Sequence, residues 1–432
     1  MSVEHEWLER ARKWCFRARL ETPHWDGPVF ERGKGSLLWD VDGKEYLDLN
    51  AGQICGVLGH SDERIAEAIG AAARTFVHAS SNFYNTAEIE LAERLGMTLP
   101  SSLHRAFFGL SGSDATEAAM GIAKAATGRY EIASPHMSFH GFSEQPRALS
   151  FAVWGERHSP PAPGNLAIMA PYCFRCPIRH TYPECELACL DGSLEVLDAE
   201  TGGSLAAIIT EPLPSAGGVI VPPDGWLAGV RDACRARDAL LILDESQTGL
   251  AKLGTMWGFE HDGVVPDIVT VSKHFGGGIP ISAVVTTDEV ERRAIENGFV
   301  YAHSHSADPL ACSAALATLD AIEEDGLVAR SEELGSYWRG LLQNLAADHE
   351  CIVDIRGRGV LQGLELGAPD GSPGGDIGKA VGRLCLDAGL LFSVRRAGSV
   401  FRFTIPFSTT EQQLDHAAAL LDSALAEVTA AA

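Results

Sequence analysis

The sequence predicts an α/β protein with a large domain built on a mostly parallel sheet and a smaller α+β domain. From about residue 60 to about residue 325, short aliphatic runs alternate with helical stretches, as in a sheet covered by helices on both faces. The runs are RAFFGL, LAAIIT, ALLILD, DIVTVS and ISAVVTT. In such sheets, ligands bind beyond the carboxyl ends of the strands. We therefore expect the functional residues at the strand ends.

The two ends of the chain have a different pattern. Residues 1–60 predict an amphipathic N-terminal helix, followed by a hairpin over residues 35–49 around an Asp-Gly turn. Residues 326–432 predict a long helix over residues 327–345, then strands and further helices. We expect residues 61–325 to form the large domain, and the two ends of the chain to form the small domain together.

Composition and charge exclude several classes of protein. The chain has 432 residues, of which 46% are hydrophobic and 21% charged, as in ordinary globular proteins. Its formal net charge of −24 repels nucleic-acid backbones and anionic lipid headgroups. The sequence contains no run of about 18 apolar residues, so it predicts no membrane-spanning helix. We expect no nucleic-acid or membrane partner, and a cytoplasmic location.

The ten cysteines fit reduced thiols in that compartment. Four of them form the pattern C-x2-C-x8-C-x3-C in a stretch rich in proline and tyrosine: Cys173, Cys176, Cys185 and Cys189. Four thiolates can hold zinc, although the two pairs are closer together here than in most zinc ribbons. A metal site and a metal-free loop both stay open, and a disulfide is disfavoured.

Two motifs are suited to a flat, anionic ligand. SGSDATEAA follows the strand RAFFGL and opens a helix, so that Gly112, Ser113 and the first helical N–H groups can bind a phosphate. In SFHGF, Phe139 can stack on a flat ring and His140 can hydrogen-bond beside it. An ordinary helix cap and plain packing are the alternative interpretations of the two motifs.

Two further strands end in charged residues. LLILDESQTGL puts Asp244 at a strand end, where a carboxylate can keep a pyridine nitrogen protonated. Alternatively, Asp244 and Glu245 hold a metal or cap the next loop. DIVTVSKHFGGGIP puts Lys273 between an aliphatic strand and three glycines, and a desolvated lysine amine is nucleophilic toward an aldehyde. A helix start that can bind phosphate, an aromatic ring that can stack, a carboxylate and an amine together indicate pyridoxal 5′-phosphate (PLP).

The motifs SGSDATEAA, SFHG, EPLPSAGG, LILDESQTG, VSKHFGGG and DPLACSAALATLD follow one another along the chain, within a similarity that covers nearly its whole length. In this order they resemble the class III (ω-type) aminotransferases of PLP fold type I, whose large domain has a seven-stranded-type sheet. The resemblance implies that Lys273 forms an imine with PLP, that Asp244 holds the ring nitrogen and that Gln247 bonds the ring hydroxyl. It implies that Ser304, where the family usually has Thr, reaches the phosphate of a neighbouring subunit in a homodimer with shared active sites. The implied cofactor-binding residues are Gly112, Ser113, Phe139, His140, Glu211, Asp244, Gln247, Lys273 and Ser304.

Within the family, NAGQICGVLGH, GTMWGFEHDGVVPDI and DIRGRG are similar to segments of the 2,2-dialkylglycine decarboxylases. This similarity implies that Gln53 contacts the substrate carboxylate, that Arg402 in VFRFTIP binds a carboxylate and that Phe142 shapes the substrate pocket. HSHSADPL resembles the alkali-cation loop of those enzymes. The metal ligands implied for potassium or sodium are Ala79, Ser81, Ser304, Ser306 and Asp308.

Four positions depart from the decarboxylase pattern and put the substrate and the exact reaction in doubt. Phe139 replaces a Trp, Phe142 a Met, Ala216 a Ser and Ser304 a Thr. These changes leave the residues that indicate PLP untouched.

The sequence predicts decarboxylation-dependent transamination, with Lys273, Asp244 and Gln53 as catalytic residues. A 2,2-dialkylglycine-type amino acid would give CO2 and a ketone, and its amino group would pass to a 2-oxo acid such as pyruvate. Three alternatives stay open. They are an ordinary class III aminotransferase without decarboxylation, an amino-acid racemase or epimerase, and a PLP-binding protein without turnover.

Overall fold

The computed structural model describes residues 2–16, 27–152, 161–368 and 370–430. The chain divides into two compact units. The large unit consists of Glu63–Glu333 and Arg356–Leu361. The small unit consists of Met1–Asp62, Leu334–Ile355 and Gln362–Ala432. Among the described residues, no helix combines the length and the apolar character that crossing a bilayer requires.

Strands and helices alternate through most of the chain. The strands are β1 (Phe30–Lys34), β2 (Leu37–Asp40), β3 (Glu45–Asp48), β4 (Arg105–Gly109), β5 (Glu131–Pro135), β6 (Asn165–Ile168), β7 (Leu205–Thr210), β8 (Leu240–Asp244), β9 (Ile268–Val271), β10 (Ser282–Thr286), β11 (Ile352–Arg358), β12 (Leu361–Leu366), β13 (Leu390–Leu391), β14 (Ser393–Arg395) and β15 (Val400–Thr404).

The helices are α1 (Val3–Trp14), α2 (Ala51–Ile54), α3 (Glu63–Thr75), α4 (Thr86–Met97), α5 (Gly112–Thr127), α6 (Glu144–Leu149), α7 (Ala188–Glu200), α8 (Trp226–Ala236), α9 (Asp288–Glu296), α10 (Pro309–Glu324), α11 (Leu327–Asp348), α12 (Gly375–Asp387) and α13 (Glu411–Ala430). Short 3-10 helices of the described residues supplement them, at Cys173–Arg175, Gly258–Asp262, Lys273–Gly276 and Arg396–Gly398.

The large unit is built on a seven-stranded sheet with the strand order β4-β10-β9-β8-β7-β5-β6. Neighbouring strands from β9 to β6 run parallel, and β10 runs antiparallel to both β4 and β9. Every residue of β5, β7, β9 and β10 is buried, as expected for strands covered on both faces. The prediction of an α/β fold with a mostly parallel sheet is confirmed.

The register of the sheet brings several strand ends to one edge. Leu243 pairs with Val269 and Asp244 with Thr270, so that β8 and β9 end side by side. Strand β10 starts at the edge where β4 ends, since Ser282 pairs with Gly109. Residues that follow β4, β8 and β9 therefore lie at one edge of the sheet.

The small unit contains two four-stranded sheets, with strand orders β1-β2-β3-β13 and β11-β12-β15-β14. The predicted hairpin is the antiparallel pair β2–β3, and β13 extends its sheet by pairing in parallel with β3. Helix α1 follows the predicted amphipathic N-terminal stretch, but none of its described residues is buried. The stretch predicted to continue this helix, residues 17–20, lies outside the described residues.

Candidate active site

Helix α5 begins at the site predicted for phosphate. Ser111 caps the helix, since its hydroxyl accepts the N–H of Asp114 and the Asp114 carboxylate accepts the N–H of Ser111. A Cβ atom added at Gly112 would lie 2.8 Å from the Ser272 hydroxyl and 3.4 Å from the Ser246 hydroxyl. A larger residue would therefore crowd these two hydroxyls where α5, the end of β8 and the end of β9 meet. The helix N–H groups and hydroxyls together suit an anion.

Asp244 is a buried carboxylate held by three donors. Its Oδ1 accepts the Ser246 N–H and the Thr270 hydroxyl, each at 3.1 Å, and its Oδ2 lies 2.9 Å from Nδ1 of His140. Burial alone would raise the pKa of Asp244, but the hydrogen bond and charge of His140, the Ser246 bond and the charge of Lys273 lower it. The site therefore keeps Asp244 ionised, as a partner for a protonated ring nitrogen must be.

Lys273 lies two residues beyond the end of β9 and is half-buried. Its backbone has a φ of 57°, in the left-handed region that side chains other than glycine rarely adopt. Such a conformation persists only where the surroundings enforce it, and it is concentrated at functional sites. Because Lys273 contributes to the low pKa of Asp244, the amine and the carboxylate lie within electrostatic reach of each other.

A buried cluster beside Lys273 was missed by sequence reasoning. The side chain of Lys252 has no solvent exposure. Its Nζ donates to the Gly249 carbonyl at 2.5 Å and lies 2.7 Å from Nδ1 of His274. A lysine ammonium has only donors, so that Nδ1 accepts and Nε2–H donates to the Leu250 carbonyl at 3.1 Å. Burial and then Lys252 hold the pKa of His274 well below its usual value, which keeps the ring neutral.

The remaining predicted cofactor residues of the large unit take different positions. The Phe139 N–H donates to Glu211 at 3.0 Å, and its half-buried ring meets the Phe142 ring edge-on at 5.2 Å. Burial raises the pKa of Glu211 to about 7, against an opposing effect of His140. Gln247 is buried and Ser304 is exposed. The exposed Phe142 donates its N–H to the Ser113 hydroxyl at 3.0 Å.

Gln53 and Arg402 belong to the small unit. Gln53 is exposed in α2, whose backbone is kinked, with left-handed φ values at Ala51, Gly52 and Ile54. Arg402 lies on β15 and is 2% exposed, with its Nη2 3.4 Å from the Ser393 hydroxyl.

The loop predicted to bind an alkali cation contains an arrangement that the sequence did not predict. Both oxygens of Asp308 face imidazole nitrogens, with His78 Nδ1 and His305 Nδ1 each at 2.6 Å. Ala79 and Ser306 are half-buried, and Ser81 and Ser304 are exposed. The oxygen-only site for potassium or sodium stays a prediction.

All ten cysteines lie within the described residues, and none of them forms a disulfide. Burial raises the pKa of Cys173 to about 11, and its neighbours Cys189, Cys176 and Cys185 add to the effect. Within the described ranges, these four residues do not form a group with three donor atoms within 4.8 Å of one another. Whether they bind a metal stays open.

The residues at the sheet edge fit PLP. The hydroxyl of Ser246 is buried and has no hydrogen-bond partner within the described part of the chain, so that a polar ligand group can bond it. It lies against the Gly112 position at the start of α5, where a phosphate would bind. Serine after the strand-end Asp-Glu pair, and serine before Lys273, are the sequence signals that could have identified Ser246 and Ser272.

Comparisons with known proteins agree with this site. The class-III aminotransferase profile matches residues 22–425. An uncharacterized aminotransferase of Schizosaccharomyces pombe is 35% identical over 403 residues, which cover 92% of this chain and 90% of the relative. The acetylornithine aminotransferase of Methanothermobacter thermautotrophicus is 32% identical, over a match that covers 98% of this chain and 99% of the relative.

A solved structure with the same fold binds PLP. The PLP-bound amine transaminase of an uncultivated Pseudomonas species superposes with a TM-score of 0.89 at 28% identity, over 96% of this chain and 98% of that one. Sequence, fold and strand-end chemistry thus agree over almost the full length, and the chain belongs to the class-III aminotransferase family, whose cofactor is PLP.

Proposed function

We propose that this enzyme transfers an amino group from an amino acid to a 2-oxo acid, without loss of CO2. The observation that carries this proposal is the buried Asp244 carboxylate, whose pKa is lowered in part by Lys273. A carboxylate that stays ionised and a lysine within its electrostatic reach are the two groups that PLP chemistry at an amino acid needs. The named relatives that match nearly the whole chain are aminotransferases.

Each residue has a separate role in this proposal. Bound PLP supplies an electron sink for a carbanion at the substrate Cα. Asp244 holds a proton on the ring nitrogen, while Gly112, Ser113 and the start of α5 bind the phosphate. Lys273 would move the proton from the substrate Cα to the cofactor carbon in the first half of the reaction, and from that carbon to the Cα of the new amino acid in the second half.

Arg402 is proposed to bind the substrate carboxylate. A guanidinium presents a planar pair of donors that matches a carboxylate, and a buried arginine gains more from that match than an exposed one. Arg402→Lys keeps the charge but loses this geometry. We expect a higher KM for both amino and oxo acids with little change in the PLP absorbance.

A second candidate is the decarboxylation-dependent reaction predicted from the sequence. The observation that favours it is the strained backbone around Gln53, with left-handed φ values on both sides. Asp48 fixes this segment, since its two carboxylate oxygens accept the Asn50 N–H at 2.9 Å and the Gly52 N–H at 2.7 Å. Strain that the protein maintains in this way indicates a functional position.

One assay distinguishes the two reactions. The PLP-loaded enzyme is incubated with pyruvate and either 2-aminoisobutyrate or alternative donors such as N-acetylornithine and alanine, and CO2, ketone and new amino acid are quantified. Amino transfer from donors with a Cα hydrogen, without CO2, supports the first proposal. Release of CO2 and acetone from 2-aminoisobutyrate, lost in Gln53→Ala, replaces it with the second.

We further propose a homodimer with shared active sites; pairing of dimers into tetramers stays open. The segment of residues 76–84 supports an interface because Phe76, Val77, Phe83 and Tyr84 are all exposed. Light scattering on the eluted protein measures the mass, and a monomer that retains full activity contradicts the proposal.

The alkali cation and the cytoplasmic location remain predictions. Ten cysteines without a disulfide among them suit a reducing compartment. Activity that is the same in potassium and in a bulky organic cation would argue against the cation.

A further inference from the structure

A cluster outside the proposed active site combines two imidazoles and one carboxylate. His78, just after α3, and His305 approach Asp308 from opposite ends of its carboxylate, with both Nδ1–O distances at 2.6 Å. The ring centroids of the two histidines are 4.8 Å apart. Among the described residues, this is the one group of three His, Cys, Asp or Glu side chains whose donor atoms lie within 4.8 Å of one another.

We propose that His78, His305 and Asp308 form a binding site for one divalent transition-metal ion, such as Zn²⁺, Co²⁺ or Ni²⁺. Two nitrogen donors and one carboxylate suit these metals, whereas potassium, sodium and magnesium prefer oxygen donors throughout. Two histidines and a carboxylate also form a ligand set that zinc adopts when a fourth position is left to water. The site therefore differs in donor chemistry from the oxygen-only site expected from the sequence.

The present geometry needs only a small adjustment to hold a metal. Tetrahedral zinc with ligands at about 2.0–2.2 Å holds neighbouring donor atoms about 3.3 Å apart. Each Nδ1–O distance of 2.6 Å would thus open by about 0.7 Å. In the single chain the histidine side chains are 47% and 59% exposed, which lets the rings rotate, while Asp308, at 14%, is the N-cap residue at the start of α10.

Charge also favours a cation. The net charge of −24 raises the local concentration of cations around the protein. A bound metal would take the place of the hydrogens between the two Nδ1 atoms and the carboxylate. Because only an unprotonated nitrogen can bind a metal, we expect binding to weaken as the pH is lowered.

Equilibrium dialysis of the chelator-treated holoenzyme against Co²⁺, with potassium in large excess, tests the proposal. We expect one bound equivalent that His78→Ala and His305→Ala each weaken by at least about tenfold. His104→Ala is the matched control, because His104 is an equally surface-placed histidine with a single carboxylate partner, Asp288, at 3.2 Å. All three variants change exposed side chains, and circular dichroism confirms that they fold.

The cysteine cluster supplies the competing explanation and a second control. A variant with Cys173→Ser and Cys189→Ser is expected to keep the equivalent that the histidine variants lose, and that equivalent should show no thiolate charge-transfer absorbance. The proposal is overturned if metal binding follows the cysteines, if both histidine variants bind cobalt as the wild type does, or if excess potassium removes the ion.

Discussion

Two consecutive carboxylates at the end of β8 are both buried, yet their surroundings act on them in opposite directions. On the Asp244 side, His140, Ser246 and Lys273 outweigh burial, and the pKa is lowered. On the Glu245 side, burial dominates and raises the pKa to about 7, although Thr248, the Phe259 N–H and Lys252 oppose it. The Asp244 side here means that carboxylate with the groups that contact it, and the Glu245 side means the same for Glu245.

The difference shows that burial does not decide the charge of a carboxylate; the direction and charge of its donors do. The Asp244 side faces the edge where Lys273 and the start of α5 lie. The Glu245 side is bonded to residues that support the fold, with its Oε1 2.9 Å from the Phe259 N–H. We therefore expect substitutions on the first side to change catalysis and substitutions on the second to change stability.

Asp244→Asn gives the largest expected effect. The amide keeps the shape of the side chain but loses the charge that would hold a proton on the ring nitrogen. We expect kcat to fall by at least about 10²-fold, with little change in the denaturation midpoint. Steady-state kinetics and urea denaturation measure the two. A large loss of stability with nearly normal kcat would reverse our assignment of the Asp244 side.

Lys252→Met follows in magnitude, as a loss of stability. The change removes the ammonium group that donates to the Gly249 carbonyl and to His274 Nδ1. Both buried acceptors lose that hydrogen bond. We expect the free energy of unfolding to fall by about 3 kcal/mol, measured by urea denaturation. Lys379→Met is the control, because that lysine is exposed and pairs with the exposed Asp376, and it should change stability by less than about 1 kcal/mol.

Glu245→Gln tests the raised pKa directly. Between 4.5 and about 7 the folded protein keeps a proton on Glu245 that the unfolded chain has released. The stability contributed by this group is therefore complete at low pH and is lost as the pH rises through about 7. The neutral amide does not titrate, so its free energy of unfolding does not fall in this way. As the pH rises from about 5 to about 8, we expect the free energy of unfolding of the variant to increase by on the order of 2 kcal/mol relative to that of the wild type.

Denaturation across that pH range measures this gain. Glu211, whose pKa is also raised to about 7, is present in both proteins and cancels in the difference. A stability difference that does not change with pH would show that Glu245 is ionised in the folded protein throughout.

His140→Asn gives the smallest effect. It removes one of the donors to Asp244 but leaves Ser246 and Thr270 in place. A hydrogen bond to a charged group contributes about 1.5 kcal/mol, so we expect kcat to fall by about tenfold. A loss as large as that of Asp244→Asn, in parallel kinetic assays, would mean that His140 alone keeps the carboxylate ionised.

The sequence predicted the positions of Asp244, Lys273 and Gly112 because each lies at or shortly after the end of an aliphatic strand. The order of strands in a mostly parallel sheet brings such strand ends together. It could not predict Lys252, since a lysine in the segment GLAKLG is typically exposed and only the tertiary fold buries it. The contacts of His78 and His305 with Asp308 were not predicted for a related reason, because sequence does not fix side-chain directions in a loop.

Strand β10 ties the segment that carries Lys273 to the sheet at both ends. Because β10 runs antiparallel to β9, residues 272–281 leave and re-enter the sheet at the same edge. A Cβ at Gly276 would lie 2.7 Å from the Ile281 side chain, so the start of this turn is closely packed against its end. A one-residue shift in the pairing of β10 would exchange the residues on its two buried faces. The backbone position of Lys273 is therefore constrained from both ends of the turn.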